Sequence, residues 1–403
     1  MLAIRMRWLA PLLVLVAGCN NCNGSQATPD AGAAPAPAVD AAEEAAAKPR
    51  KAPTGGAAAL TALSADVDKR LADNPSSPDD RDALIDRLLD RAELMGRSSD
   101  LLKAEDLIKA WGASAHFARA KVFAATLRFE EATKELDQAQ SSPKELTSKL
   151  RYRILIGHGE YDEAVAMQAT PIEAQDPLTI ANAGFLAMKM QKKDEGRKLI
   201  TLSMQKAEEA DAALTYAWIC FQQGLMYALA GDDMSAESWF GSAVKTLPQY
   251  AHAVVHLAPA QAPAVALASL TELAKTSDDP EVPAARAAVL EKLNRKDEAK
   301  AAIADATKAY DAILRRLPEA YSDHAARFFL GAGNNPKRAL ELARTNAKAR
   351  PTEDAMDLWM ATAAGNKDAA EACTAAHAMK ELHYSSDRGR ALANAKCPDA
   401  GVH

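Results

Sequence analysis

The chain has 403 residues, of which 48% are hydrophobic but only 5% aromatic, and its formal net charge is −6. A chain of this length exceeds one typical hydrophobic core, so several domains or an array of repeats are expected. The mildly acidic balance argues against a nucleic-acid-binding protein, which normally presents a basic face.

The first residues form a separate segment. Arg5 and Arg7 are followed by an uncharged run from Trp8 to Gly18, and its 11 residues are too few to span a bilayer as a helix, which takes about 20. Positive charges before a short apolar run are typical of a secretory signal. The run ends in "LVAGC", which resembles a bacterial lipobox because small residues precede Cys19.

The lipobox resemblance implies that residues 1–18 are a cleaved signal peptide and that Cys19 carries a diacylglycerol group and an amide-linked acyl chain such as palmitate. Two or three acyl chains anchor a protein stably, whereas one does not. Asn20 favours the outer membrane, with the protein facing the periplasm. An uncleaved anchor and an ordinary secretory signal are the alternatives.

Residues 19–58 are rich in Ala, Pro and Gly and contain no recurring large apolar residue. Their composition predicts a disordered tether, because the prolines prevent a continuous helix. About 40 residues would span roughly 35 Å as a flexible coil and up to ~120 Å when extended. We expect a helical repeat domain at 59–383, followed by a short C-terminal helix and tail at 384–403.

Within the repeat domain, a small residue follows a polar turn at regular intervals, mostly of about 30 to 40 positions. The small residues are Ala104, Ala132, Ala164, Gly196, Ala236, Ala266, Ala299, Ala339 and Ala370. Two helices in each unit and a period in the low thirties predict an all-α fold, an α-solenoid of antiparallel helix pairs. An irregular helical bundle with accidental periodicity is the alternative.

The stretch "GLMYALAGDDMSAESWFGSAVKTLP", from Gly224 to Pro248, resembles one tetratricopeptide repeat, a helix–turn–helix of 34 residues. The resemblance implies about nine units from Asp79 to roughly Leu382. It places Gly224 and Ala236 where the two helices cross, and Phe240 in the wedge against the next unit. The unit around Ala266 contains Pro259 and Pro263, so we expect it to be shortened or splayed.

The chain offers little that points to catalysis or to a metal site. His252 and His256 share a helix face, but Ala253 stands where a metalloprotease helix needs Glu, so both are interpreted as surface histidines. Cys220 is expected in the core. Cys373 and Cys397 are the one pair for which a disulfide is plausible, and the spacing alone does not establish it. No metal, no cofactor and no nucleic-acid partner is predicted.

The repeat resemblance also implies that one face of each first helix lines a concave groove. The inward positions that we select as partner-binding residues are Phe117, Lys121, Arg153, Phe185, Trp218 and Phe221. This mixture would suit a peptide with acidic and apolar residues. Alternatively, Trp218 and Phe221 pack between neighbouring turns of the superhelix.

The leading functional hypothesis is a lipid-anchored, non-catalytic scaffold that binds a protein or peptide partner in the bacterial cell envelope. The alternatives are an all-helical lyase acting on envelope glycan and a carrier of an apolar ligand. An open, shallow arc would favour binding. A closed ring with a buried Glu or His would favour catalysis, and an apolar tunnel would favour the carrier.

Overall fold

The computed structural model describes residues 53–112, 115–168 and 175–383, and all regular structure within these ranges is helical. The predicted signal peptide, most of the tether and the C-terminal tail, with Cys19 and Cys397, lie outside the described residues. The nineteen helices of the described ranges are α1 Gly56–Asp73, α2 Pro78–Met95, α3 Ser98–Trp111, α4 His116–Ala125, α5 Phe129–Gln138, α6 Lys144–His158, α7 Tyr161–Met167, α8 Pro177–Lys189, α9 Lys193–Glu209, α10 Ala213–Ala230, α11 Asp233–Thr246, α12 Ala251–Leu257, α13 Pro263–Leu273, α14 Glu281–Lys292, α15 Lys296–Leu314, α16 Pro318–Leu330, α17 Pro336–Ala349, α18 Glu353–Gly365 and α19 Ala369–Met379.

Helices α2 to α19 form nine antiparallel pairs, and α1 precedes them. We call the first member of each pair its A helix and the second its B helix. The pairs run from Pro78 to Met379, which agrees with the predicted nine units. The fold is an all-α solenoid of helix pairs, as the periodicity predicted. No helix in the described ranges is both long and apolar enough to cross a membrane.

The turn inside a pair has the same backbone conformation in eight of the nine pairs. One residue takes a left-handed conformation with positive φ just before the N-cap of the B helix, and in seven of these pairs a small residue follows five positions later. The left-handed residues are Gly96, Leu127, Gly159, Gln191, Gly231, Asn294, Asn334 and Lys367. A positive φ closes an A helix within one residue, which keeps the turn short.

Eight of the nine predicted small residues are buried, and six of them stand five positions after a left-handed residue, whereas the last one is corrected. Ala370 is exposed, whereas Ala372 stands five positions after the left-handed Lys367 and is partly buried. The sequence misleads here because "GN" at 365–366 looks like the turn. The structure instead bends at Lys367, two residues later than that pattern indicates.

The glycines show why small side chains are needed inside the pairs. A Cβ atom added to Gly196 of α9 would lie 2.9 Å from the carbonyl oxygen of Gly184 in α8, so the two backbones cross in close contact. In the next pair, a Cβ on Gly224 would lie 2.4 Å from Cε1 of Phe240. Phe240 contacts His256 of the next pair, as predicted, and its ring also fills the space above Gly224 of its own pair.

The pair α12–α13 is shortened, as Pro259 and Pro263 predicted: its helices have 7 and 11 residues. A cleft of about 210 Å³ opens beside it, with Val244, Leu257 and Leu273 in its wall.

The superhelix turns back on itself, so that early pairs contact late ones. The N–H of Asp278 donates to the carbonyl oxygen of Gly96 at 3.1 Å, and the Ser98 hydroxyl donates to Oδ1 of Asp278 at 2.9 Å. Further along, Arg316 binds Asp106 and His383 binds Asp162, across 210 and 221 residues of sequence. Such contacts join residues 157 to 221 positions apart in the sequence, so consecutive turns of the superhelix stack directly on each other.

A buried ion pair holds the first three helices together. The guanidinium of Arg91 in α2 donates to both carboxylate oxygens of Asp100 in α3, at 2.7 and 2.9 Å, and to Asp68 in α1 at 2.8 Å. The pKa of Arg91 is raised, first because of the hydrogen bond to Asp100. A paired charge of this kind can stay buried where an unpaired one could not.

The cysteines agree with their predicted surroundings as far as the structure describes them. Cys220 lies in the core with its thiol unpaired, and burial raises the pKa of that thiol. Cys373 is disulfide-bonded. Its predicted partner, Cys397, lies outside the described residues, so the pairing of these two stays a prediction.

Candidate functional site: the inner wall of the superhelix

The A helices contact one another along the inside of the superhelix. Lys121 of α4 binds Asp86 of α2, Phe185 of α8 contacts Trp218 of α10, and other contacts of this kind continue to α18. We call this surface, formed by the inward sides of the A helices, the inner wall. It corresponds to the concave groove that the sequence predicted.

The six predicted binding residues occupy different environments on this wall. Phe117 is buried, and the Lys121 ammonium lies 4.5 Å from the centre of its ring while it pairs with Asp86 at 2.9 Å. Phe185 is also buried, and its ring meets Trp218 edge-on with centroids 6.0 Å apart. Trp218 is half-buried and Arg153 is exposed. Whether these residues bind a partner stays a prediction.

Phe221 belongs to a packed aromatic cluster. It is 5% exposed, and its ring lies within 6.1 Å of the rings of Phe240, Tyr250, His252 and His256. It joins α10, α11 and α12. This arrangement matches the alternative interpretation of Phe221 as a packing residue, whereas Trp218 keeps an open side.

The most highly charged part of the wall was not predicted. The carboxylate of Glu281, at the start of α14, accepts a hydrogen bond from each of two histidines: His252 Nδ1 lies 3.0 Å from Oε2, and His324 Nδ1 lies 2.6 Å from Oε1. Glu281 thus links α12, α14 and α16. The interpretation of His252 as a surface histidine is wrong, since its side chain is only 17% exposed and faces α14.

The chain of charges continues along α16 to α18. Arg350 pairs with Asp323 at 2.6 Å and reaches Asp354 at 3.5 Å, and Arg327 pairs with Asp354 at 2.8 Å. Arg327 and Asp354 remain 45% and 36% exposed. We call this set of charged groups the ionic chain; its members are His252, Glu281, His324, Asp323, Arg350, Asp354 and Arg327.

Burial and ion pairing act in opposite directions on the pKa values of the ionic chain. Burial alone would raise the pKa of Glu281, but the two histidines hold it well below its usual range. Burial would lower the pKa of both histidines, yet their carboxylate neighbours raise the pKa of His252 to about 9 and that of His324 to about 10. Both histidines are therefore cationic at neutral pH.

His256 behaves in the opposite way, although it lies one helical turn from His252. Its ring packs against Phe221 and Phe240, with centroids 5.4 and 5.2 Å away. Burial lowers the pKa of His256 to about 4, so this ring is neutral at pH 7. Like His252, it lies inside the superhelix rather than on an open outer surface.

This geometry suits structural ion pairing better than acid–base chemistry. Each oxygen of Glu281 is bound by a histidine, and the two histidines hold the pKa of Glu281 well below its usual range, so this carboxylate is a weak base. Asp279, whose pKa burial raises, is only 3% exposed and accepts the N–H of Glu281 at 2.8 Å. In the described part of the chain, no group of three or more His, Cys, Asp or Glu side chains could hold a metal ion.

A sequence signal for the ionic chain did exist, but only across repeats. His252, Glu281 and His324 belong to the A helices of three consecutive units. A search for metal ligands at fixed spacing on one helix cannot detect such a set, because its members meet only when the units stack.

The wall from α6 to α10 carries polar groups without partners. Lys189 lies 5.7 Å over the ring of Tyr161 and has no ion pair with any described carboxylate. Arg153 has neither a hydrogen bond nor an ion pair within the described ranges. For Trp218, the same ranges hold no acceptor bonded to the indole N–H.

No protein-family model matches the sequence, and neither does any curated protein sequence. Solved structures with similar folds include a human IFIT1 dimer with PPP-AAAA, at 16% identity and a TM-score of 0.38, covering 80% of this chain and 82% of that one. Yeast Tom70 has 12% sequence identity and a TM-score of 0.35, and the match covers 85% of this chain and 81% of that one. The P58(IPK) TPR domain has 16% sequence identity and a TM-score of 0.24, and the match covers 81% of this chain and 96% of that one. Similarities this distant do not support a functional inference for this chain.

Proposed function

We propose that this protein is a non-catalytic scaffold that binds a protein or peptide partner on its inner wall. The observation that carries the proposal is the stretch from α6 to α10, where Arg153, Lys189 and the indole of Trp218 have no polar partner in the described ranges. Arg153 is exposed and Lys189 and Trp218 are half-buried, so these donors are open to solvent. A row of accessible donors beside an aromatic pair suits a binding surface.

We further propose that the scaffold is anchored in the bacterial cell envelope through acyl chains on Cys19, in the outer membrane and facing the periplasm. The lipobox-like "LVAGC" and the Ala/Pro-rich segment after it support this location. A tether of about 40 residues would hold the repeat domain clear of the lipid, within reach of other envelope proteins.

Partner binding can be tested by crosslinking the full chain in its native envelope and identifying the crosslinked proteins. We expect a Trp218→Ala variant to lose a partner that the wild type retains. Met234→Ala is the matched control, because Met234 is 80% exposed on a B helix. Equal recovery of every partner by all three proteins would reject the inner wall as the binding surface. Phe221→Ala is unsuitable, since Phe221 is part of the core.

Anchoring is tested separately with Cys19→Ala. We expect the wild type to incorporate labelled palmitate and to sediment with membranes, and the variant to do neither. A variant that still sediments with membranes without carrying label would favour an uncleaved apolar anchor instead.

An envelope-glycan lyase remains the second candidate, because the superhelix turns back on itself and Glu281 lies between two histidines with little exposure. A closed ring with a buried Glu is the arrangement expected of an enzyme. Against it, both Glu281 oxygens are occupied in the structure. Release of soluble glycan fragments by the wild type but not by Glu281→Gln would favour the lyase. The carrier hypothesis is less well supported, since the ionic chain makes this part of the wall charged rather than apolar.

A further inference from the structure

The geometry points to a specific subsite on the inner wall, formed by Arg153, Lys189 and Trp218, that recognises an extended peptide carrying acidic residues next to an apolar one. We call it the cationic subsite. This inference rests on the proposed function, and it adds the chemistry of the partner.

Lys189 is the centre of the subsite. The carboxylate that it influences most clearly is Asp354, and Asp354 is already bound by Arg327 at 2.8 Å and approached by Arg350 at 3.5 Å. Lys189 is thus a third cation near one carboxylate, and its own contact is the ring of Tyr161. An added carboxylate would find an ammonium group that no described acid neutralises.

Arg153 is in a similar situation two helices earlier. Burial raises the pKa of Asp90 and the charge of Arg153 opposes that shift, but Asp90 is already paired with Arg87 at 3.1 Å. Arg153 is exposed, and its guanidinium keeps its five N–H donors available. Both cations therefore face carboxylates that another arginine engages, so neither has a carboxylate partner of its own in the described ranges.

Trp218 and Phe185 supply the apolar part. Their edge-on contact buries Phe185 and leaves Trp218 half-buried, and no acceptor among the described residues binds its indole N–H, which can donate to a peptide carbonyl. Phe185 and Lys189 stand four residues apart in α8, so they share one face of the helix. An apolar side chain against Trp218 would place a neighbouring acidic side chain close to Lys189.

The spacing of the helices sets the spacing in the peptide. Residues one helical turn apart are separated by about 5–6 Å, which is roughly two residues of extended chain. Neighbouring packed helices are 8–10 Å apart, or about three residues of extended chain. The expected pattern is an apolar residue, an acidic residue about two or three positions away, and a second acidic residue about three positions further on, opposite Arg153.

The test uses a random library of short peptides displayed on phage and selected on the immobilised full chain. The wild type should enrich peptides with this acidic–apolar pattern. For one selected peptide, Lys189→Gln should weaken binding by about tenfold or more, which is typical for loss of a charge-assisted hydrogen bond. Lys189→Glu should prefer the peptide with Lys in place of the acidic residue, and this charge reversal identifies a direct contact.

Lys192→Glu is the matched control, because Lys192 is exposed in the turn after α8. It should leave affinity and enrichment unchanged, and thermal melting of each variant shows that it is folded. Peptides that require Trp218 but show no acidic preference, or no charge reversal at position 189, would overturn the cationic subsite and leave the scaffold proposal standing. Absence of any enrichment, or binding that Trp218→Ala and Lys189→Glu leave unchanged, would overturn both.

Discussion

The inner wall is built in two ways along the chain. From α12 to α18, each charged group of the ionic chain has a partner of opposite sign, and Glu281 has two. From α6 to α10, Arg153 and Lys189 have no ion pair in the described ranges, and the aromatic pair Phe185–Trp218 stands beside them. Both stretches are made of the same kind of helix pair, so the difference lies in the side chains.

This contrast separates stability from binding on one surface. A satisfied ionic chain ties consecutive A helices together and offers a ligand little, since its donors and acceptors are used. In the stretch from α6 to α10, Lys149 pairs with Asp176, but Arg153 and Lys189 contribute less to stability and keep their donors available. The comparison can be tested by removing a charge from each stretch, α12 to α18 and α6 to α10, and measuring the loss of stability and of peptide binding.

The largest effect is expected from Glu281→Gln. The variant leaves two histidines without their shared carboxylate, and breaking an enclosed ion pair by removing one partner typically costs about 3–5 kcal/mol. Urea unfolding at pH 6 measures the change. Glu298→Gln is the control, because Glu298 pairs with Arg295 on the exposed side of α15, and we expect its unfolding midpoint to be unchanged. Similar midpoints for both variants would remove the distinction between the two kinds of charge.

The same cluster predicts a pH dependence on the alkaline side. The pKa values of His252 and His324 are raised from 6.5 to about 9 and about 10, so their stabilising contribution is complete below pH 6.5 and is lost as pH rises through those values. Glu281, whose pKa is lowered from 4.5, contributes fully above that value. The difference in unfolding free energy between wild type and Glu281→Gln should therefore be largest at about pH 5–6 and small above about pH 10. A difference that stays constant from pH 6 to 10 would contradict this assignment.

The sequence predicted the arrangement of the helix pairs better than the contacts on the inner wall. Small residues at a steady step identify the B helices, because helices that cross this closely leave no room for a larger side chain, and at Gly184 and Gly196 even a Cβ would clash. The shortened α12–α13 pair followed from its prolines alone. The register failed at Ala370, where the residue that takes positive φ is Lys367, a type with no special preference for that conformation.

The ionic chain was beyond the same reasoning for a physical reason. Each of its members is an ordinary charged residue in its own helix, and the information lies in which residues meet after the units stack. Phe221 shows the same limit of prediction for an aromatic residue. Its inward position was predicted, but whether an inward aromatic faces a ligand or a neighbouring ring depends on Tyr250 and His252 of the next pair.

A smaller effect is expected at Gly224, where the two halves of the wall meet. In Gly224→Ala the new Cβ would displace the Phe240 ring, which also contacts His256 of α12. Overpacking of this kind costs about 1–3 kcal/mol. Gly241→Ala in α11 is the matched control: no atom lies within 4 Å of its new Cβ, so we expect it to be neutral or to stabilise the helix by up to about 1 kcal/mol. Equal stability of the two variants would mean that the ring relaxes without cost.

The smallest effect on stability is expected in the unpaired half, at Lys189→Gln. Within the part of the chain that the structure describes, its ammonium has one ring contact, with Tyr161. This cation–π interaction is worth about 0.5–1 kcal/mol when partly exposed, so the loss should stay below about 1 kcal/mol. Urea unfolding under the conditions used for Glu281→Gln gives the direct comparison. A loss as large as that of Glu281→Gln would show that Lys189 holds the superhelix together, and the contrast between the halves would fail. A small loss of stability combined with a large loss of peptide binding is the result that a dedicated recognition residue requires, because a structural residue would lose both together.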